Sequence, residues 1–237
     1  MSTSDTGTTP LRQSNKEKRR QAILSHAIAL FGSQGIEATT MEQIAEAAGI
    51  GSATIYRYFP TKNDVVVAAV IEAWQEQSQH YLPQIESPNF AKLCGQAQVR
   101  YILGIFIDLY DYAPDFLWLL MAFDSYTRGS GISREQLDDY QQVIIFLKGY
   151  AVAALEKGCA DGTLYLSKPP ELVYFTIFHT MLSLTSKLIC QGDILEMDSW
   201  VDGREELLLL RELLLRGLSP EPTGEVKPPA AAAVKQV

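Results

Sequence analysis

From Ser14 to about Leu218 the apolar residues recur at three- and four-residue spacing, and no stretch alternates between turn signals as strands do. The pattern predicts an all-α chain. A first helix is expected to start at Ser14-Asn15-Lys16-Glu17, where the Ser14 hydroxyl can accept from the third backbone N–H and Glu17 can reach back. Ile23, Ala27, Leu30 and Phe31 make its apolar face, and Gly32 and Gly35 end it. Thr40-Met41-Glu42-Gln43 repeats the capping pattern for a second helix, with Met41, Ile44, Ala45 and Ala48 inward and Gly49 as its stop. Ile50 and Gly51 form a turn. Ser52 then caps a short third helix, with Ile55 and Phe59 inward and Pro60 at its end. Thr61 caps a fourth, long helix that runs to about Tyr81 and carries Val65, Val66, Ala69, Val70 and Trp74.

Less sharply bounded helices are expected at 89–110, from Pro114 to Phe123, at 133–157, from Pro169-Pro170 to Cys190, and from about Ser199 to Leu218. Residues 1–13 read as a polar, disordered arm, and 219–237, rich in Pro and Ala, as a disordered tail. Between them the chain divides into a helix-turn-helix domain at 14–62, with the motif itself at about 40–59, and a larger helical domain at 63–218.

Composition narrows the compartment and the chemistry. No uninterrupted apolar run approaches the roughly 18 residues of a membrane span, and the N-terminus has no apolar signal core. A cytoplasmic protein is expected, with no membrane partner. Cys94, Cys159 and Cys190 are far apart and odd in number, which fits a reducing compartment and core packing. His26, His80 and His179 have no metal-spaced partners. Catalytic and phosphate-loop motifs are missing. No catalytic residue, cofactor or metal is expected, and an enzyme is the weaker reading. The net charge of −8 is unusual for a nucleic-acid binder. Yet through Lys62 the chain has seven basic residues against five acidic ones, so the negative charge resides in the larger domain and the tail. Phosphate attraction depends on the local face presented to DNA.

Three helices closed by a glycine-containing turn form a helix-turn-helix. The second helix braces the third, which lies in the major groove where base edges are distinguishable. Ala45 permits a close crossing, and Gly49 supplies the backbone freedom of the turn. With Ile55 and Phe59 inward, the third helix leaves Ser52, Ala53, Thr54, Tyr56, Arg57 and Tyr58 outward or at the edge, a set suited to bases and phosphates. Lys62, in the first turn of the next helix, can share a phosphate with that helix N-terminus.

These residues carry a resemblance. The segment Ile23–Val70 resembles the DNA-binding domain of the tetracycline-repressor (TetR) family, through Ala27, Leu30, Phe31, Gly35, Ala38-Thr39-Thr40, Ile44-Ala45, Ala48-Gly49-Ile50, Thr54-Ile55-Tyr56-Arg57-Tyr58-Phe59 and Lys62. Ile50-Gly51-Ser52-Ala53 departs mildly from the commoner Val-Ser-x-Gly and leaves the base preference open. The resemblance implies a homodimer with two DNA-binding heads, a double-stranded DNA operator and a divergent helical domain for a small-molecule effector. It implies phosphate contacts at Thr40, Tyr58 and Lys62, with Met41 beside them, and base or backbone contacts at Gly51, Ser52, Ala53, Thr54, Tyr56 and Arg57. A repressor released by an inducer is the default. An activator, a co-repressor-dependent regulator and an adaptor that no longer binds DNA stay open.

In the larger domain Tyr101, Phe106, Tyr110, Trp118, Phe123, Tyr126, Tyr150 and Phe175 are candidates to line the effector pocket, with plain core packing the alternative for each. Asp108 interrupts an apolar helix, where a lone carboxylate is costly to bury; it is either a pocket group or reaches solvent or an arginine. The last two helices carry apolar residues on more than one face. The surplus at Leu172, Phe178, Leu182, Leu207, Leu210 and Leu214 suggests a dimer interface, or a helix buried within the core.

Overall fold

The computed structural model describes residues 9–191, 196 and 200–220, and among these there is helix and no strand. The order is α1 (Thr9–Gln34), α2 (Met41–Ala47), α3 (Ser52–Tyr58), α4 (Lys62–Ile85), α5 (Pro88–Lys92), α6 (Gly95–Tyr112), α7 (Pro114–Thr127), a 3₁₀ turn (Glu135–Leu137), α8 (Asp138–Ala160), α9 (Pro170–Gln191) and α10 (Gly203–Gly217).

Local chemistry accounts for most of these bounds. Thr40 and Thr61 each accept from the third backbone N–H of the helix they open, and Gln43 and Asp64 return the bond. Gly35 and Gly49 take positive φ (86° and 64°) after α1 and α2, which a side chain would resist. The first helix departs from expectation. It begins at Thr9, so Ser14 and Glu17 lie within it and residues 9–13 are helical rather than part of an arm. Pro10 stands in its first turn, where a missing N–H costs nothing. Residues 1–8 and 221–237 lie outside the described residues. Ser219, expected in the tail, still caps the body by donating to the Leu215 carbonyl at 3.0 Å.

The single helix expected at 89–110 is two. Ser87 caps α5, and extended backbone at Leu93 and Cys94 turns the chain before α6 restarts at Gly95. The restart is fixed from far along the sequence, because the Gly95 N–H donates to the Asp161 carboxylate at 2.8 Å. Bonds from the Thr163 hydroxyl and from Gly95 hold that carboxyl below the usual aspartate range. The stability it adds is therefore present above about pH 4, where a free aspartate is ionised, and is lost as pH falls through its lower folded value. The gap in urea midpoint between the native chain and Asp161→Ala should be constant above about pH 5 and shrink below about pH 4. A gap independent of pH would mean that the charge has no part.

Two cores share the interior. One joins the head to the body: Phe31, Ile44, Ile55, Val66 and Leu117, from α1, α2, α3, α4 and α7, are fully buried in it. The other joins α6, α8, α9 and α10 through Leu103, Phe106, Leu155, Met181 and Leu207. The boundary expected at 62/63 falls within α4, which runs unbroken through it. Pro170–Cys190 is long and apolar enough to cross a membrane by length and composition. Polar residues such as Glu171, His179 and Lys187 interrupt it, and α9 packs on α6, α7, α8 and α10 while Leu172 and Phe175 stay exposed.

Candidate functional site

The head presents α3 as a lever against α2. Ala45, 1% exposed, sits at the crossing, and the Ile50 N–H donates to its carbonyl at 2.9 Å. Ile55 and Phe59 face the core, leaving Ser52, Ala53, Tyr56 and Arg57 exposed and Thr54 and Tyr58 half-buried. Gly51, not Ser52, occupies the cap position of α3; Ser52 is the first helical residue and caps nothing. Thr40 stands exposed at the start of α2. Met41, expected among the DNA-facing residues, is 5% exposed within the core, because it begins the inward face that Ile44 and Ala45 continue. The Tyr56 hydroxyl donates to Glu42 at 3.2 Å across the two helices. Lys16, Lys18 and Arg19 lie exposed on α1 and add cations that no single-residue motif marked, although the Lys-Glu-Lys-Arg-Arg run shows them.

Lys62 does not reach into open solvent. Its ammonium donates to the Glu37 carbonyl at 2.9 Å and lies 5.7 Å from the centre of the Tyr126 ring. Burial draws its pKa down, against the opposing pull of Glu37. Beside it, Asn63 accepts from the Tyr126 hydroxyl at 2.8 Å and donates to the Ser130 carbonyl at 3.2 Å. Gln136 donates to Asp64 at 2.8 Å. The first turn of α4 is thus clamped by α7 and the segment after it, so head and body meet through polar contacts as well as a shared core.

Farther along α4 an apolar cavity of about 110 Å³ opens between α4, α6, α8 and α9. Trp74, Ser78, Tyr81 and Ile85 give one wall, Ile102, Phe106 and Leu109 another, and Ile144, Tyr150, Tyr174 and Phe178 close it. Of the expected pocket residues, Phe106 and Tyr150 line this cavity. The others are placed elsewhere. Tyr101 packs its ring on Phe90. Tyr110 points its hydroxyl at Gly203. Trp118 is exposed, Phe123 is buried against Tyr140, and Tyr126 holds Asn63. Phe175 is 42% exposed, because Tyr174 and Phe178, one helical turn apart, take the inward stripe of α9. Asp108 lies in an outer groove with Glu76, His80 and Tyr112. Its carboxyl is pushed up by burial and by Asp111, with Arg204, His80 and Arg211 pulling the other way. Sequence reasoning misses the α4 wall, although 74, 78, 81 and 85 form one helical stripe.

The expected dimer residues divide similarly. Leu207 is fully buried within the single chain, Leu182, Leu210 and Leu214 are half-buried against the body core, and Phe178 lines the cavity. Leu172 alone of that set is largely exposed, and it is joined by Phe175, Leu209 and Leu213. On α10 the inward leucines are every third or fourth residue from Leu207, which puts Leu209 and Leu213 on the opposite face.

Comparison with known proteins bears on this geometry. Residues 23–69 match the family model of bacterial regulatory proteins, tetR family. The HTH-type transcriptional regulator TcmR of Streptomyces glaucescens is 39% identical over 67 residues, 27% of this chain and 30% of that regulator. The HTH-type transcriptional repressor KstR of Rhodococcus jostii is 35% identical over 69 residues, 29% of this chain and 32% of that repressor. The matches thus span about a third of the length of these relatives. Among solved structures, a TetR transcription regulator from Haloarcula marismortui shares the fold at TM-score 0.66 with 15% identity, covering 86% of this chain and all (100%) of the other. FadR from Bacillus subtilis, solved with stearoyl-CoA, does so at TM-score 0.62 with 18% identity, covering 84% of this chain and 98% of the other. The head at 23–69 is therefore similar to that of the tetR family of bacterial regulatory proteins, and the chain shares the fold of the solved regulators.

Proposed function

We propose that the chain is a dimeric, sequence-specific DNA-binding transcription regulator of the cytoplasm, a repressor that leaves its operator when a small molecule enters the cavity. Residues 14–62 serve as the DNA-binding head and 63–218 as the effector and dimerisation domain. One observation carries this reading. The α4 helix holds Lys62 and Asn63 at the head and Trp74, Ser78 and Tyr81 at the cavity wall. A change at one end is therefore felt at the other. The structural neighbour with bound stearoyl-CoA supports a small-molecule effector. The exposed Leu172, Phe175, Leu209 and Leu213 support pairing through α9 and α10. Two heads related by a two-fold axis then read half-sites about 34–36 Å apart or further. A gel shift on DNA flanking the chain's own gene tests the reading, with light scattering at micromolar concentration for the dimer. A stable monomer, or no preference for that DNA over random duplex, would overturn it.

The interface makes a prediction for single side chains. Thr40, Tyr58 and Lys62 serve phosphates, while Ser52, Ala53, Tyr56 and Arg57 meet bases or backbone. Lys62→Ala should weaken binding to every sequence and reduce the slope of log affinity on log salt by about one. Arg57→Ala should do the same if it meets phosphate, or relax preference at one base pair by about 1–3 kcal/mol if it reads a guanine. Unchanged affinity in both folded variants would mean that the head docks on a different face.

A further inference from the structure

The cavity does not end at its apolar wall. Trp74, Ile144 and Phe178 also line a more open cleft of about 380 Å³, whose polar groups include Asp124, Tyr140 and His179. The three shared side chains make a neck between a hydrocarbon-lined space and a polar one. At that neck the Trp74 indole N–H is sealed from solvent and has no hydrogen-bond partner. A buried donor left unpaired costs about 1–3 kcal/mol, and folded proteins leave few. The ring is held edge-on against Phe116, with centroids 4.9 Å apart. Tyr140 is close enough for its phenol to be affected by the indole, yet it does not complete a bond with it. Burial pushes that phenol up to about 12, so at neutral pH it too is protonated and able to donate.

The charges around the neck limit what can satisfy the indole. Neither the cavity nor the cleft is lined by lysine or arginine. Asp124 is the carboxylate of the cleft, with its pKa raised by burial against the pull of Arg128 and His179. An anionic head group would meet a carboxylate and no lining cation, a like-charge contact that costs affinity. An ammonium group offers no lone pair to the indole. A neutral oxygen acceptor meets both conditions.

We propose that the effector is a neutral, largely apolar molecule whose carbonyl oxygen accepts the Trp74 indole proton while its hydrocarbon part fills the cavity. This rests on the cavity being the effector site. The space is modest, with about 40 Å³ more in an adjoining pocket that shares Phe106, Ala151 and Tyr174. A slender alkyl body therefore enters with the least rearrangement.

The test uses three probes with one alkyl body, 2-decanone, decanoate and decylammonium, titrated into the full-length chain at pH 7.5. The ketone should bind tightest. Trp74→Phe keeps the ring and removes the donor; it should weaken the ketone about fivefold to tenfold, the worth of one neutral hydrogen bond, and leave decylammonium, which has no lone pair to offer, unaffected. In the native chain with ¹⁵N-labelled indoles, the Trp74 resonance should move downfield on adding ketone. If Trp74→Phe does not fold, substituting the two exposed tryptophans, Trp118 and Trp200, leaves Trp74 as the remaining indole signal. An ion that binds as tightly as the ketone, an unmoved Trp74 resonance at saturation, or no ketone binding would each overturn the proposal. A gel shift on the same preparations separates the two readings. Ketone binding without operator binding sinks the regulator and keeps the site, and operator binding without ketone binding does the reverse.

Discussion

Gly95→Ala is expected to lower the melting temperature by about 6–12 °C. A Cβ at Gly95 would lie 2.0 Å from the Gly158 nitrogen, 2.2 Å from its Cα and 2.8 Å from the Lys157 carbonyl carbon. All three are backbone atoms of α8, so no rotamer change relieves the overlap, and α6 must move away from the helix it packs on. Overpacking of this kind costs about 3 kcal/mol or more, and a chain of this size loses roughly 2–4 °C per kcal/mol. The same shift withdraws the Gly95 N–H from Asp161. Gly149→Ala is the control. It lies exposed within α8 with nothing inside 4 Å of a built Cβ, so alanine there should add up to about 1 kcal/mol through helix propensity. Thermal melts of both variants check the pair. Equal and small effects would show that the two backbones do not meet as described.

That contact also shows where the sequence stops being legible. The head is written in short-range signals: two threonine capping boxes, a glycine at each positive-φ turn, and inward positions three or four residues apart. Each is decided within one or two turns of its own helix, so α2, α3 and the start of α4 could be read with few errors. The body is decided by partners far along the chain. Nothing near Gly95 tells that Asp161 and Gly158, more than sixty residues on, break the expected 89–110 helix into α5 and α6. The choice of Tyr174 over Phe175 for the cavity depends on how α9 is rotated against α6 and α8, which its own composition leaves free because both faces are apolar. Leu207 and Leu209 differ by two positions and face opposite ways for the same reason. Composition named Leu207 as surplus, which is buried, and passed over Leu209, which is exposed. The opposite failure occurs at Met41, whose inward face the periodicity gives correctly and which only a motif analogy turned outward.

Cutting the polar clamp at the start of α4 should uncouple effector from operator while leaving each binding event intact. Asn63 joins α4 to Tyr126 of α7 and to the Ser130 carbonyl, and Asp64 takes a bond from Gln136. The cavity lies three turns along the same helix, at Trp74 and Ser78. A ligand that tilts α4 can move the head only if the head follows the helix as a rigid body, and the clamp fixes its attitude. Asn63→Ala removes both of that residue's bonds to the body without touching the cavity or the exposed face of α3. Operator affinity without ligand should stay within about threefold, since the residues proposed to meet DNA are unchanged. Release by a saturating cavity ligand, taken as 2-decanone, should fall from the usual range of about 5- to 150-fold to below about fivefold. Because coupling is reciprocal, the factor by which operator DNA weakens ketone binding must fall by the same amount. Four dissociation constants for each protein, ligand with and without operator and operator with and without ligand, close that cycle. Full release retained in Asn63→Ala would mean that the shared core of α1, α4 and α7 transmits the tilt and the clamp is only structural. Loss of operator binding in the absence of ligand would mean that the clamp holds the head in its DNA-competent attitude.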